Sequence, residues 1–310
     1  MARVLLQFRS RFPGLREGFE ALGHEVLESD WTPGPAALQG TALCVADFVD
    51  CARRLRRTLG LSRRLARAAV PLLALNRDAP LHRGVHRARL ALLAWLHPFA
   101  GYAAHSLQEA SRYARRTLYC PNAARASLYR TNPEELAAMR EPSWFRWDVS
   151  FVGNLDAARY PEHSRRVGFL RALADRLRGS GIELLLRDGN ALREPEQIEI
   201  IKRSRINLSA AAACDAGAQR SWGLPERCYG VPACGGFLLS DRRQHAAEDF
   251  AAEEWADYAE LDDCAARIRE YLGAPARARA IAERAQARVA RDHTYRNRAE
   301  RLLDFARDAR

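Results

Sequence analysis

Long uncharged apolar stretches are missing from these 310 residues. Nowhere do about 18 apolar residues run without a charge, so no membrane-spanning helix is expected. No apolar run ending in a small-residue cleavage site follows Met1, so no export signal is legible and a cytoplasmic location is expected. The seven cysteines form no C-x-x-C pair and are odd in number, which argues against a zinc site and a disulfide framework and suits a reducing compartment. Lysine is nearly absent: Lys202 is the single lysine among 49 basic residues. The G-x-G-x-x-G and G-x-x-x-x-G-K-[ST] patterns do not occur, which weakens dinucleotide-dehydrogenase and P-loop readings. A G-x-S-x-G elbow is also lacking. The lack of any Asp-x-Asp pair removes the simplest metal-diphosphate clamp, so neither a metal nor a cofactor is expected. His82 and His86 stand four apart and read as an exposed helix face rather than metal ligands.

Hydrophobic residues make up 48% and charged residues 28%, the balance of a soluble globular chain. At roughly 150 residues per domain the length suggests two domains. The formal charge of +11 favours anionic ligands: nucleoside diphosphates, phospholipid headgroups or nucleic acid. The arginines read as spread along the chain rather than gathered in one block. No RNA-binding motif accompanies them, so nucleic acid is not expected as a partner; peripheral membrane contact stays open.

Short apolar runs alternate with helical stretches. Residues 2–8, 24–28, 42–46, 70–75, 102–104 and 117–120 read as strands, with a helix from Pro13 to Leu22 closed by Gly23. Residues 131–147, with two prolines and an aromatic cluster, read as an interdomain connection. The alternation resumes with strands at 148–152, 182–186, 206–209 and 236–239, helices at 161–177 and 194–203, and a short helix opened by Pro225. Three helical segments follow from Leu261. In the first of these, Leu261, Cys264, Ala265, Ile268, Tyr271 and Leu272 recur at 3.6-residue spacing. The expected fold class is α/β, two doubly wound Rossmann-like domains facing a cleft.

Two strand-loop-helix units carry the candidate site. In S-F-V-G-N-L-D-A-A-R-Y-P-E-H-S-R-R (150–166), Gly153 and Asn154 end a strand, where open α/β sheets bind ligands, and Arg159, Arg165 and Arg166 offer charge for a diphosphate. In 220–241, Gly223 and Leu224 precede a helix with Pro225 near its start, whose free N–H groups suit a phosphate; Arg220 and Arg227 stand within a turn, and Tyr229 follows. Gly235 and Gly236 turn the chain tightly into the next strand and complete the candidate phosphate-binding set. For a general base, Asp78 and His105 each follow an apolar run at its carboxyl end.

The stretches DVSFVGNLDAARYPEHSRRVGFL, RINLSAA, RCYGVPACGGFLLSD, WADYAELDDCAARIREYL and HTYRNRAERLL, with weaker matches in VPLLALNRDAP, GYAAHS and LYCPNAA, resemble GT-B glycosyltransferases. More closely they resemble the group containing spore maturation protein CgeB. The resemblance implies domains at 1–146 and 147–292 and a helix from 293 to 310 returning to the first domain. It implies a metal-independent transfer from a nucleotide diphosphate sugar held by the second domain to an acceptor on the first, whether glycan, lipid-linked or small molecule. Many retaining relatives carry two glutamates where this chain has Trp222 and Gly230; Glu226, one helical turn before Gly230, is the nearest carboxylate and the candidate replacement. That departure leaves a non-catalytic nucleotide-sugar or polyanion binder as the alternative. In the tail, Thr294 is expected to cap a helix whose Leu302, Leu303, Phe305 and Ala306 face the protein while Arg298, Arg301 and Arg307 face water.

Overall fold

The computed structural model describes residues 2–9, 11–77, 85–159, 163–210 and 223–308. They fall into two compact units, Met1–Asn122 with Thr294–Arg310, and Ala123–His293. The first contains β1 (Arg3–Gln7), α1 (Pro13–Glu20), β2 (Glu25–Glu28), α2 (Pro35–Leu38), β3 (Thr41–Asp47), α3 (Phe48–Arg53), α4 (Leu55–Arg67), β4 (Leu72–Asn76), α5 (Arg87–Leu96), β5 (Gly101–Ala104) and β6 (Thr117–Tyr119). The second contains α6 (Pro133–Ala138), β7 (Trp147–Gly153), α7 (Ser164–Arg178), β8 (Leu184–Asp188), α8 (Glu194–Arg203), β9 (Ser204–Ser209), α9 (Arg227–Ala233), β10 (Leu238–Asp241), α10 (Ala246–Asp249), β11 (Asp257–Tyr258), α11 (Leu261–Gly273) and α12 (Pro275–Asp292). The last helix, α13 (Tyr295–Arg307), returns to the first unit.

Both sheets are parallel throughout, ordered β2-β1-β3-β4-β5-β6 and β11-β10-β9-β7-β8. The segments RVLL of β1 and LLALN of β4 lack polar alternation because helices cover both faces of such a sheet. On one face of the first sheet Leu5, Cys44, Leu72 and Tyr102 pack with Phe48, Leu61, Leu65 and Leu93 from α3, α4 and α5. In the second unit Val149, Phe151, Ile206 and Leu239 pack with α7, α11 and α12. Its other face is closed by Tyr229 and Val231 of α9 with Ala285 and Val289 of α12.

Two parts of the sequence reading change. Residues 131–147 are not a free connection but part of the second unit, and the chain passes from the first unit to the second after Asn122. The reason is long-range: Lys202 Nζ binds Glu135 at 2.7 Å, the Trp144 indole N–H donates to the Lys202 carbonyl at 2.9 Å, and the Arg203 guanidinium lies 3.6 Å over the Trp144 ring. Arg298, expected in water, is buried, donating to the carbonyls of Pro121 at 3.0 Å and Asn122 at 3.1 Å. Helix α13 lies on α1 because α1 carries Gly14 and Gly18 on the contact face. A β-carbon at Gly14 would strike the Tyr295 ring, and one at Gly18 the Tyr295 carbonyl. Thr294 caps α13 as the sequence suggests: the Asn297 N–H donates to its hydroxyl, and its own N–H donates to Asn297 Oδ1 at 2.9 Å.

Candidate functional site

The strand order of the second sheet reverses between β7 and β9, and open α/β sheets bind ligands at such a switch point. A cavity of about 290 Å³ lies there, wholly within the second unit. β7 contributes Ser150, Val152 and Gly153, β9 contributes Asn207 and Leu208, and α8 contributes Gln197 and Ile201. Tyr129, Pro225, Glu226, Arg227 and Val231 complete the wall. Its polar groups are held in place: Ser150 Oγ donates to Asn207 Oδ1 at 3.3 Å, Asn207 Nδ2 to the Ile201 carbonyl at 3.1 Å, and Gln197 Nε2 to the Gly189 carbonyl at 2.9 Å.

Three arginines with largely enclosed side chains differ sharply in what they meet. Arg166 donates to the carbonyls of Ala210 and Asn154, each at 3.0 Å, and so straps the loop after β7. Arg243 pairs with Asp241 at 2.9 Å and donates to the Gly223 carbonyl at 3.0 Å. Arg227 has no hydrogen-bond or ion-pair partner among the described residues. Its guanidinium stacks 4.6 Å from the Phe151 ring centroid and forms part of the cavity wall, and loss of hydration pushes its pKa down. Gly153 and Arg227 meet directly, since a β-carbon at 153 would collide with Arg227 Nη2. A glycine here is therefore a condition for placing the cation.

Glu226 stands beside Arg227 on the wall and is hydrogen-bonded by Tyr129, whose phenol is pushed up by burial and by the Glu226 charge. The Tyr129 ring also occupies the space a side chain at 230 would need: a β-carbon on Gly230 would stand 2.6 Å from it. Tyr129 escaped the sequence reading, and no local pattern marks it, because its role depends on contacts with residues about a hundred positions later.

Several expected site residues lie elsewhere. Helix α9 begins at Arg227 and is only seven residues long, and its Cys228, Tyr229 and Gly230 N–H groups are already bonded to the Pro225 and Glu226 carbonyls. The free N–H groups expected at a helix start are therefore not available here, whereas the Arg227 side chain lines the cavity. Gly223 and Leu224 are buried behind the wall, with Leu224 in the core. Tyr229 is buried in that core, its hydroxyl donating to Asp249 at 2.5 Å. Gly235 and Gly236 precede the amino end of β10, opposite the ligand end, and serve close packing against Leu136 and Val231. Gly235 also takes a positive φ of 78° that suits glycine. Asn154 caps its own turn by accepting from the Asp156 N–H at 2.9 Å, and Arg159 is exposed in that turn, off the cavity wall.

In the first unit His105 follows β5 but is only 1% exposed, its Nδ1 3.4 Å from the Asn76 carbonyl. It belongs to a buried polar group with Asn76 and Ser106, not to an open strand end. His86 caps α5 by accepting from the Ala88 N–H at 3.2 Å. Asp78, His82, Arg220 and Trp222 lie outside the described residues. Among the described residues no group of three His, Cys, Asp or Glu side chains is placed to hold a metal, and no helix is long and apolar enough to cross a membrane.

Residues 135–304 match the glycosyl transferase-like family. No curated protein sequence matches the chain. Among solved structures of similar fold, HepE from Anabaena in complex with UDP-glucose shares 13% identity at a TM-score of 0.64, over 99% of this chain and 100% of that one. Sucrose-phosphate synthase from Thermosynechococcus elongatus shares 11% at 0.61, over 99% of each. The UDP-forming trehalose-phosphate synthase from Burkholderia vietnamiensis shares 10% at 0.61, again over 99% of each. At these identities the likeness is one of fold, the GT-B arrangement of two parallel Rossmann-like sheets with helices.

Proposed function

Because the chain belongs to the glycosyl transferase-like family, we propose that its switch-point cavity binds a nucleoside-diphosphate sugar and that the chain transfers the sugar without a metal. The observation that carries this reading is Arg227: a cation stacked on Phe151 in a cavity wall, with no carboxylate or carbonyl partner among the described residues. An unpaired, poorly hydrated cation is costly unless a ligand completes it, and a diphosphate does so with charge-assisted hydrogen bonds. As the bond from sugar to diphosphate breaks, charge grows on the phosphate oxygens. A fixed guanidinium in a poorly hydrated wall stabilises that charge without reorganising.

Glu226, oriented by Tyr129, accepts a hydrogen bond from a hydroxyl of the donor next to the diphosphate, in place of the two glutamates that many retaining relatives carry. The finer placement beside the CgeB group rests on the sequence stretches quoted above. HepE's complex with UDP-glucose makes uridine diphosphate sugars the first donors to try.

The test is calorimetric titration of the whole chain with UDP, GDP, ADP and their sugars, with donor hydrolysis followed in the presence of excess EDTA. A nucleoside diphosphate that binds in the micromolar range, with slow hydrolysis of its sugar that EDTA leaves unchanged, is the expected result. Failure of every donor to bind overturns the assignment of the cavity. Hydrolysis lost with EDTA and restored by magnesium overturns metal independence.

A further inference from the structure

The chain's net charge has an uneven source. Residues 51–108 hold eleven arginines against one acidic residue, Asp78, a net of +10; the other 252 residues hold 38 basic and 37 acidic side chains. The arginines are spread along the chain, as the sequence reading has it, but this one segment has a single carboxylate to set against them. It includes the second half of α3 and the whole of α4, β4, α5 and β5 in the first unit.

Helix α4 turns Thr58, Leu61 and Leu65 inward, and Arg56, Arg57, Arg63, Arg64 and Arg67 are all exposed on its other side. At 100° per residue these five arginines span an arc of about 120°. Helix α5 lies beside it. Ser62 Oγ on α4 donates to the Pro98 carbonyl just past α5 at 2.7 Å, Arg89 on α5 donates to the Arg53 carbonyl at 2.7 Å, and Leu61, Leu65, Leu90 and Leu93 share one core. None of these exposed arginines, nor Arg87 and Arg89 on α5, has a carboxylate partner among the described residues.

The outer side of α5 is not polar, as a solvent-facing helix normally is. Ala88, Ala91, Leu92 and Trp95 fall on one exposed face between Arg87 and Arg89, with Leu92 40% and Trp95 76% exposed. Apolar side chains at the centre and unpaired arginines beside them are what a peripheral helix presents to an anionic bilayer. Tryptophan settles at the level of the headgroups and cations collect around it.

We propose that the outer face of α4 and α5 docks on an anionic lipid bilayer, the α4 arginines meeting phosphate headgroups while Trp95 and Leu92 enter the interface. Charge complementarity selects the occupant. The apolar row favours lipid over nucleic acid, because alanine and leucine make no hydrogen bond to a phosphate or a base, and those bonds carry most nucleic-acid contacts. This surface is independent of the donor cavity, which lies in the other unit, so hydrolysis of a donor sugar by the same preparation reports on that reading separately.

The experiment is sedimentation of the full chain with sucrose-loaded vesicles of phosphatidylcholine, alone or with about a third phosphatidylglycerol, at about 0.1 M and about 0.5 M salt. The chain is expected to pellet with the anionic vesicles only, and less at high salt. At about fivefold in partition per arginine, Arg63→Glu with Arg64→Glu lowers binding at least about 25-fold with an unchanged melting temperature. Trp95→Ser removes the part of binding that salt does not. The proposal is overturned if neither vesicle binds, if both bind equally, or if the folded charge-reversal variant binds like the parent chain. It is also overturned if a mixed-sequence DNA duplex binds more tightly than the vesicles and Trp95→Ser leaves both unchanged, which makes the face a nucleic-acid surface.

Discussion

Replacing Arg227 by Met is expected to weaken nucleotide binding without weakening the fold, the reverse of replacing Arg243. Arg243 is fully buried and neutralises Asp241 at 2.9 Å while tethering the Gly223 carbonyl. Arg243→Met strips a half-buried carboxylate of this cation and frees the Gly223 carbonyl, a loss of hydrogen bonds to a charged group worth about 1.5 to 3 kcal/mol each. For a unit of this size, at roughly 2 to 4 °C per kcal/mol, melting should fall by about 10 °C. Arg227→Met loses a cation–π contact worth about 0.5 to 2 kcal/mol. It also removes a poorly hydrated, unpartnered charge whose burial costs about 1 to 3 kcal/mol, and the thioether can still pack on Phe151. The two effects nearly cancel, so the melting temperature should stay within about 3 °C or rise.

Binding responds the other way. Loss of a charge-assisted hydrogen bond to diphosphate costs about 1.5 to 3 kcal/mol, a rise in Kd of about 10- to 150-fold. Calorimetric titration and a thermal melt of both variants suffice. If Arg227→Met destabilises as much as Arg243→Met and leaves the nucleotide Kd within about twofold, Arg227 is a structural strut and the argument from its missing partner is wrong.

Gly230→Ala should destabilise by about 1 to 3 kcal/mol through its clash with Tyr129, and the loss should largely vanish in a Tyr129→Ala background; equal costs in both backgrounds would show that the ring does not fill that space. Burial raises the thiol pKa of Cys44 to about 12 and of Cys228 to about 11, and Cys51, Cys120, Cys234 and Cys264 are buried as well. A disulfide reagent at about pH 8 should therefore titrate at most one thiol in the native chain and seven after denaturation; fast reaction of two or more native thiols contradicts this burial. Ending the chain at His293 removes the Tyr295 and Leu302 packing and the buried Arg298 bonds, so the first unit should bind a hydrophobic dye and melt lower; an unchanged melt would show that α13 contributes nothing to it.

Much of this architecture is written in local pattern. Runs without polar alternation, such as VLL in β1 and LLAL in β4, separated by amphipathic stretches, read as strands of a parallel sheet with helices on both faces. The Thr294 cap and the placement of Gly153 at a strand end follow from equally short-range rules.

What the sequence could not do was sort one arginine from another. Arg166, Arg227, Arg243 and Arg298 are chemically identical. One straps a loop, one pairs with Asp241, one holds the Pro121 and Asn122 carbonyls from 177 and 176 positions away, and one is left to a cavity. The same holds for Tyr129, which fills the space above Gly230 and orients Glu226, and for the glycines at 235 and 236, which the packing of β10 needs more than any ligand does. Helix and strand formation depend on bonds between near neighbours and on the period of apolar side chains, and both are local. Beyond a near neighbour such as Asp241, two positions from Arg243, which carbonyl or ring a guanidinium meets depends on elements brought together only when the sheets assemble, so that assignment belongs to the tertiary structure.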